Sequence, residues 1–176
     1  IEASYDKTWL TGNVFGWYTL PYNDGTLCEL DSLLNAIIPL SDSEIYFPSY
    51  NRLIIVFPGN NCLYKGVAYI GSTIISTEDG NSVISYLALN GMERINGGTG
   101  AHELGHNFGL NHANFLKCEN SVIGGDCTSK AYGDLFDLMG WTEARGHFNA
   151  YHKETVGWLD SSNILETSES GTYFIN

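Results

Sequence analysis

The chain has 176 residues, 43% of them apolar and 13% aromatic, with 8 basic against 20 acidic side chains and a net charge of −12. That length suits one domain with a sizeable core, and the acidic balance argues against nucleic acid, which is bound through a basic face. No apolar run approaches the roughly 18 residues of a membrane span, and the opening IEASYDKTWL lacks the basic-then-apolar pattern of a signal peptide.

In chain order, GNVFGWYTLPY alternates and is rich in aromatic residues, which predicts a strand over Asn13–Leu20, stopped by Pro21 and the following NDG. LCELDSLLNAIIPL carries apolar residues at helical spacing, with Leu27, Leu30, Leu33, Leu34 and Ile37 on one face and Pro39 closing the helix. NRLIIVFPGNN is a short apolar run bounded by Pro and Gly, the mark of a buried central strand at Leu53–Phe57. GVAYIGSTIIS reads as a further strand with a bulge at Gly71, and SVISYLALNG fits strand or helix. GGTG leads into a helix over AHELGHNFGL that Gly109 can end. A loop-rich stretch then runs to FNAYHKETVGWL, which predicts a final helix from about Phe148 to Val156. The order is that of an α+β domain, with an α/β-like N-terminal sheet, and no linker divides it.

Four cysteines, Cys28, Cys62, Cys118 and Cys127, form no C-x-x-C pair, which disfavours a zinc ribbon or a thioredoxin-like site. An even count without metal spacing fits two disulfides and an oxidising compartment. Spacing allows three pairings, among them Cys118 with Cys127 across a short loop and Cys28 with Cys62; four free buried cysteines are the alternative.

The histidines carry the chemistry. On a helix His102 and His106, four apart, share a face and can present two imidazole nitrogens to one point, with Glu103 beside it. His112 can reach the same point only if the chain leaves the helix and folds back within six residues, which Gly109 permits because a left-handed turn costs glycine little. The pattern predicts a zinc site of three histidines with one open position and a carboxylate next to it. H-E-x-x-H alone occurs by chance; the added Gly and His make chance rare. His147 and His152 fall outside the pattern and read as surface or hydrogen-bonded residues.

HELGHNFGLNH fits H-E-x-x-H-x-x-G-x-x-H, the signature of the metzincin metallopeptidases. AHELGHNFGLNHA, with YGDLFDLMG, HFNAYHKETVGWL and the upstream ASYDKTWLTGNVFGWYTLP and RLIIVFPGNNC, resembles the gametolysin family of that clan over most of the chain. The resemblance implies a twisted, mostly parallel sheet with an active-site helix in residues 1–112. It implies an irregular lower part in residues 113–176, with a methionine turn at Met139 and the final helix. It further implies one catalytic Zn²⁺ on His102, His106 and His112, and Glu103 as general base toward water. The substrate is then a secreted protein or glycoprotein bound as an extended strand along GVAYIGSTIIS. Some metzincins stabilise the oxyanion with a tyrosine two residues after the methionine; Trp141 stands there, leaving Tyr151 and Tyr132 as candidates. Asp134 and Asp137 can orient ligand histidines or brace the turn through backbone amides. The segment after Met139, through TEARGHF, is expected to wall the pocket for the residue following the scissile bond. Metzincin domains usually open with a strand and a long helix ahead of the Asn13–Leu20 region, so a longer precursor is expected, and the closing GTYFIN resembles a strand beginning. The rival readings are a zinc-retaining binding or adhesion module without turnover and a metal-dependent amidase on a non-peptide substrate. No D-x-[DN]-x-[DN]-G calcium loop is present.

Overall fold

The apolar run RLIIVF forms β1 (Arg52–Phe57), which lies parallel to the long central strand β4 (Gly80–Asn90), from Arg52 opposite Ser85 to Phe57 opposite Asn90. The expected buried central strand is corrected here: among the described residues β1 pairs only with β4, at the end of the strand order, and Ile54 is 46% exposed. The computed structural model describes residues 2–21, 28–59, 61–95, 97–120, 124–141 and 146–174. On the other side of β4 run β2 (Gly66–Ala68) and β3 (Thr73–Thr77), both antiparallel to it. Ala68 faces Leu87 and Thr73 faces Ile84, so the four residues 69–72 stand against only Ser85 and Tyr86. The expected strand with an irregularity at Gly71 is therefore two short strands, parted where Gly71 takes φ +79°. Glu78 and Asp79 join β3 to β4 as a two-residue hairpin, with Gly80 at φ +107°.

A mostly parallel sheet is thus corrected to a mixed one: of these three pairings only β1 with β4 is parallel. Connections as short as the β3–β4 hairpin force antiparallel neighbours, whereas parallel ones need a long crossover. The ambiguous SVISYLALN settles as strand because β4 has partners on both sides, and its residues from Ile84 to Leu89 are all buried.

Alternation along β4 sends Ile84 and Tyr86 to one face, where α1 (Leu30–Ser41) packs through Leu34 and Ile38, joined by Ile45, Phe47 and Ile75. Pro39 lies inside α1 instead of ending it. It deprives only the carbonyl of Asn35 of a helical donor, Asn35 is exposed to water, and the last turn still closes with Asp42 N–H donating to Ile38 O at 2.9 Å. Ile38, rather than Ile37, is the buried residue of that turn; Leu27 lies outside the described residues. On the opposite face of β4, Leu89 lies under α2 (Gly98–Asn107), close to Gly100.

The expected strand at Asn13–Leu20 is not formed: no ladder pairs this segment among the described residues, and Val14 and Trp17 are 100% and 75% exposed. Its aromatic pattern serves one anchor, Phe15, edge-on to Tyr50 at 6.0 Å and packed on the α1 cluster. A strand needs neighbouring backbone to take its N–H and C=O groups, and among the described residues none is paired with this segment.

Beyond α2 the chain forms a hairpin of β5 (Phe115–Cys118) and β6 (Cys127–Lys130), stapled by Cys118–Cys127; Cys28–Cys62 is the other disulfide. The final helix α3 (Ala150–Thr155) is shorter than expected, because Asn149 caps it by accepting from His152 N–H at 2.9 Å. A second core gathers Leu110, Ala113, Leu138, Met139, Phe148 and Trp158 beneath α2. Residues 171–174 carry no strand, and Ile175–Asn176 lie outside the described residues.

Candidate metal centre

Helix α2 ends in a paired reversal. Gly109, at φ +91°, donates its N–H to His106 O at 2.8 Å, and Leu110 N–H donates to Gly105 O at 3.0 Å. This is the glycine-capped stop that satisfies the last helical carbonyls. It turns the chain so that His112 comes back beside the helix. One ligand atom each from His102, His106 and His112 then lie within 4.8 Å of one another. The spacing read from the sequence is realised in space.

The tautomers follow from the hydrogen bonds. His102 Nδ1 lies 2.8 Å from Leu138 O and His106 Nδ1 2.8 Å from Leu110 O. Carbonyls only accept, so both Nδ1 atoms carry the proton and both Nε2 atoms keep a lone pair. His106 Nε2 and His112 Nε2 are 3.1 Å apart. Two nitrogens on one tetrahedral zinc, at Zn–N of ~2.0–2.1 Å, would be about 3.3 Å apart. Burial lowers the proton affinity of His102 and His106, and brings His112 down to about 4 through burial and its neighbours His106 and His102. Neutral imidazoles with aimed lone pairs are what a zinc ion requires, so the donor set fits the metal.

Glu103 is only 6% exposed, and burial raises its carboxyl to about 7. Its neighbour is Gly66 of β2: a Cβ there would come within 2.7 Å of Glu103 Cγ and 2.8 Å of Oε1. The outer strand and the carboxylate are therefore in direct contact, which nothing in the sequence signals.

Met139 is fully buried beneath α2, with its sulfur against Gly105, where any larger side chain would collide. Ala113 N–H donates to Met139 O at 3.0 Å, tying the residue after His112 to the methionine turn. Asp137, also fully buried, braces that turn: Oδ1 accepts from Met139 N–H at 2.5 Å, and Oδ2 from Asn149 N–H at 2.6 Å. Its Oδ2 also lies 2.9 Å from His152 Nδ1. Asp134 accepts from Phe136 N–H at 2.9 Å and from the Asn149 amide at 3.3 Å. Both aspartates thus serve the turn, and backbone carbonyls orient His102 and His106.

Of the two tyrosines, Tyr132 comes to the histidines, with its ring centroid 3.9 Å from that of His112 and 6.0 Å from that of His102. Tyr151 is 71% exposed on α3, its ring 5.7 Å from His152. His147 is exposed and bridges to Asp137 through its backbone. Trp141 is half exposed at the end of the turn, and residues 142–145 of the expected pocket wall lie outside the described residues.

A family model described as Metallo-peptidase family M12B Reprolysin-like matches residues 49–113, from just before β1 through the third histidine. No curated protein and no solved structure gave a match to the chain. The family match and the histidine cluster together support a zinc metallopeptidase with a mixed α/β domain.

Proposed function

We propose that the chain is a zinc-dependent endopeptidase of metzincin type, gametolysin-like, that cuts extracellular proteins or glycoproteins. The observation that carries this is one cluster: three imidazoles within 4.8 Å, two of them fixed in tautomer, beside a buried carboxylate. His102, His106 and His112 would hold the ion. When bound, zinc supplies Lewis acidity toward a water molecule and the peptide carbonyl. Glu103 takes the proton from that water as its oxygen attacks the carbonyl carbon, then delivers it to the departing amine nitrogen. A carboxyl raised toward neutrality suits both halves of that transfer. Met139 and Asp137 hold the floor beneath the histidines and touch no substrate in this reading.

The substrate is read as an extended strand added along the β2–β3 edge, which is the outer side of the sheet next to Glu103. Residues 1–112 and 113–176 form the upper and lower parts of one catalytic domain. Two disulfides, with no described helix long and apolar enough to cross a membrane, support a secreted protein. A module that kept zinc without turnover would have no use for a carboxylate buried beside the ligands.

The test is digestion of an unfolded protein mixture, read by mass spectrometry, before and after chelation. We expect cleavage, its loss with the chelator and its return with added zinc. Cleavage that survives complete metal removal would refute the zinc mechanism.

A further inference from the structure

The three ligand histidines are not held alike. His102 and His106 are 3% and 6% exposed and anchored by carbonyls at Nδ1. His112 is half-buried, beyond the helix, and no protein hydrogen bond to its Nδ1 is found among the described residues. What it has instead is the ring of Tyr132, tilted 37° against it with centroids 3.9 Å apart.

The chain between these two residues explains how the ring gets there. From His112 it runs through Ala113 and Asn114 into β5, turns, and returns in β6 to Lys130, with Phe115 paired to Lys130 and Cys118 to Cys127. Three contacts then fix Tyr132. Its backbone is left-handed at φ +55°, and its N–H donates to the Asn114 side chain at 3.3 Å. Gly133 N–H donates to Lys130 O at 3.2 Å, and Asp134 N–H to Ala113 O at 3.3 Å. A non-glycine residue at positive φ is costly and persists only where its surroundings hold it. The hairpin begins three residues after the third histidine and ends two residues before the tyrosine whose ring meets it.

We infer that Tyr132 is a positioning residue for the third metal ligand, its ring carried back by the disulfide-stapled β5–β6 hairpin to hold His112 toward the other two. The inference rests on the zinc reading above. It is the aromatic counterpart of the carbonyl bonds that orient His102 and His106. Partners that orient metal ligands typically affect metal affinity by 10–100-fold, and one aromatic contact belongs at the lower end. The ring, not the hydroxyl, does this work.

The experiment compares the wild-type chain with Tyr132→Ala, Tyr132→Phe and Tyr132→Leu, with His112→Ala as the reference for a lost ligand. Zinc affinity is read by competition with a chromogenic chelator, and site geometry by the visible spectrum of the cobalt(II)-loaded protein. We expect Tyr132→Ala to bind zinc about 10-fold more weakly with altered cobalt bands, and Tyr132→Phe to match wild type within about twofold. Tyr132→Leu, which keeps bulk without a ring face, should resemble Ala and serves if Ala does not fold. Cys118→Ser with Cys127→Ser should also weaken zinc, with Tyr132 intact. Wild-type affinity and spectrum in both the Ala and the Leu variants would overturn the inference, as would a Phe variant as weak as Ala. If wild type itself took up no zinc, the metal reading would fall; normal uptake with indifferent Tyr132 variants would sink this inference alone.

Discussion

Replacing Glu103 with glutamine keeps the shape of a buried side chain and removes its charge, and the effect on the metal-free protein should depend on pH in a defined way. Burial raises the Glu103 carboxyl from its ordinary 4.5 to about 7. Between those values the folded chain holds a proton that the unfolded chain has released, so wild-type stability falls as pH rises through this window. Below about 4.5 the two states are protonated alike, and above about 7 the whole penalty of a buried carboxylate is felt. At ~1.4 kcal/mol per pH unit, the rise amounts to about 3 kcal/mol. A buried amide with incomplete partners costs about 1–3 kcal/mol, but that offset does not vary with pH. Urea unfolding of chelator-treated wild type and Glu103→Gln across pH 4–8 gives the difference directly. The advantage of the variant should grow by about 3 kcal/mol from pH 4.5 to 7.5 and then level off. A difference that stays flat across that range would refute the buried, uncompensated carboxyl.

Gly66→Ala should push Glu103 aside, since the new Cβ falls within 2.7 Å of its Cγ and 2.9 Å of Thr99 Cγ2; we expect at least about a 10-fold loss of kcat/KM with zinc content unchanged, measured by metal analysis beside peptide hydrolysis. Asp137→Ala removes the acceptor for Met139 N–H, Asn149 N–H and His152 in a fully buried place; it should cost about 3–5 kcal/mol in urea unfolding, and a loss under 1 kcal/mol would deny that Asp137 braces the turn. Asn149→Ala should destabilise by about 1 kcal/mol through the lost cap of α3, with no change in zinc affinity.

The histidine cluster was legible because its determinants are local. Helical spacing places His102 and His106 on one face, and a glycine at 109 supplies the reversal that returns His112. That β1 is a strand was legible for a similar reason, since a short apolar run between breakers has few other fates, but its place at the end of the strand order was not. The parts that sequence reading missed are those fixed by distant neighbours. Pairing direction in the sheet depends on which strand lies beside β4, and Asn13–Leu20 alternates like a strand but finds no ladder among the described residues. Gly66 looks like any loop glycine until Glu103 is placed against it. The cysteine spacing allowed the Cys118–Cys127 pair, but nothing local announced that the hairpin it closes returns Tyr132 to His112. For Asp137 the signal was half present: an aspartate two residues before a methionine suggested a brace, while its buried partner His152 lies fifteen residues on.

The central claim is that Glu103 performs proton transfer at a centre of three histidines. It is tested most directly by the rate of peptide-bond cleavage in wild type and Glu103→Ala, each shown to carry one zinc. We predict that the variant retains the ion and loses at least about 100-fold in kcat, the range of a general acid–base residue. Equal cleavage by the two proteins at equal zinc content would contradict it.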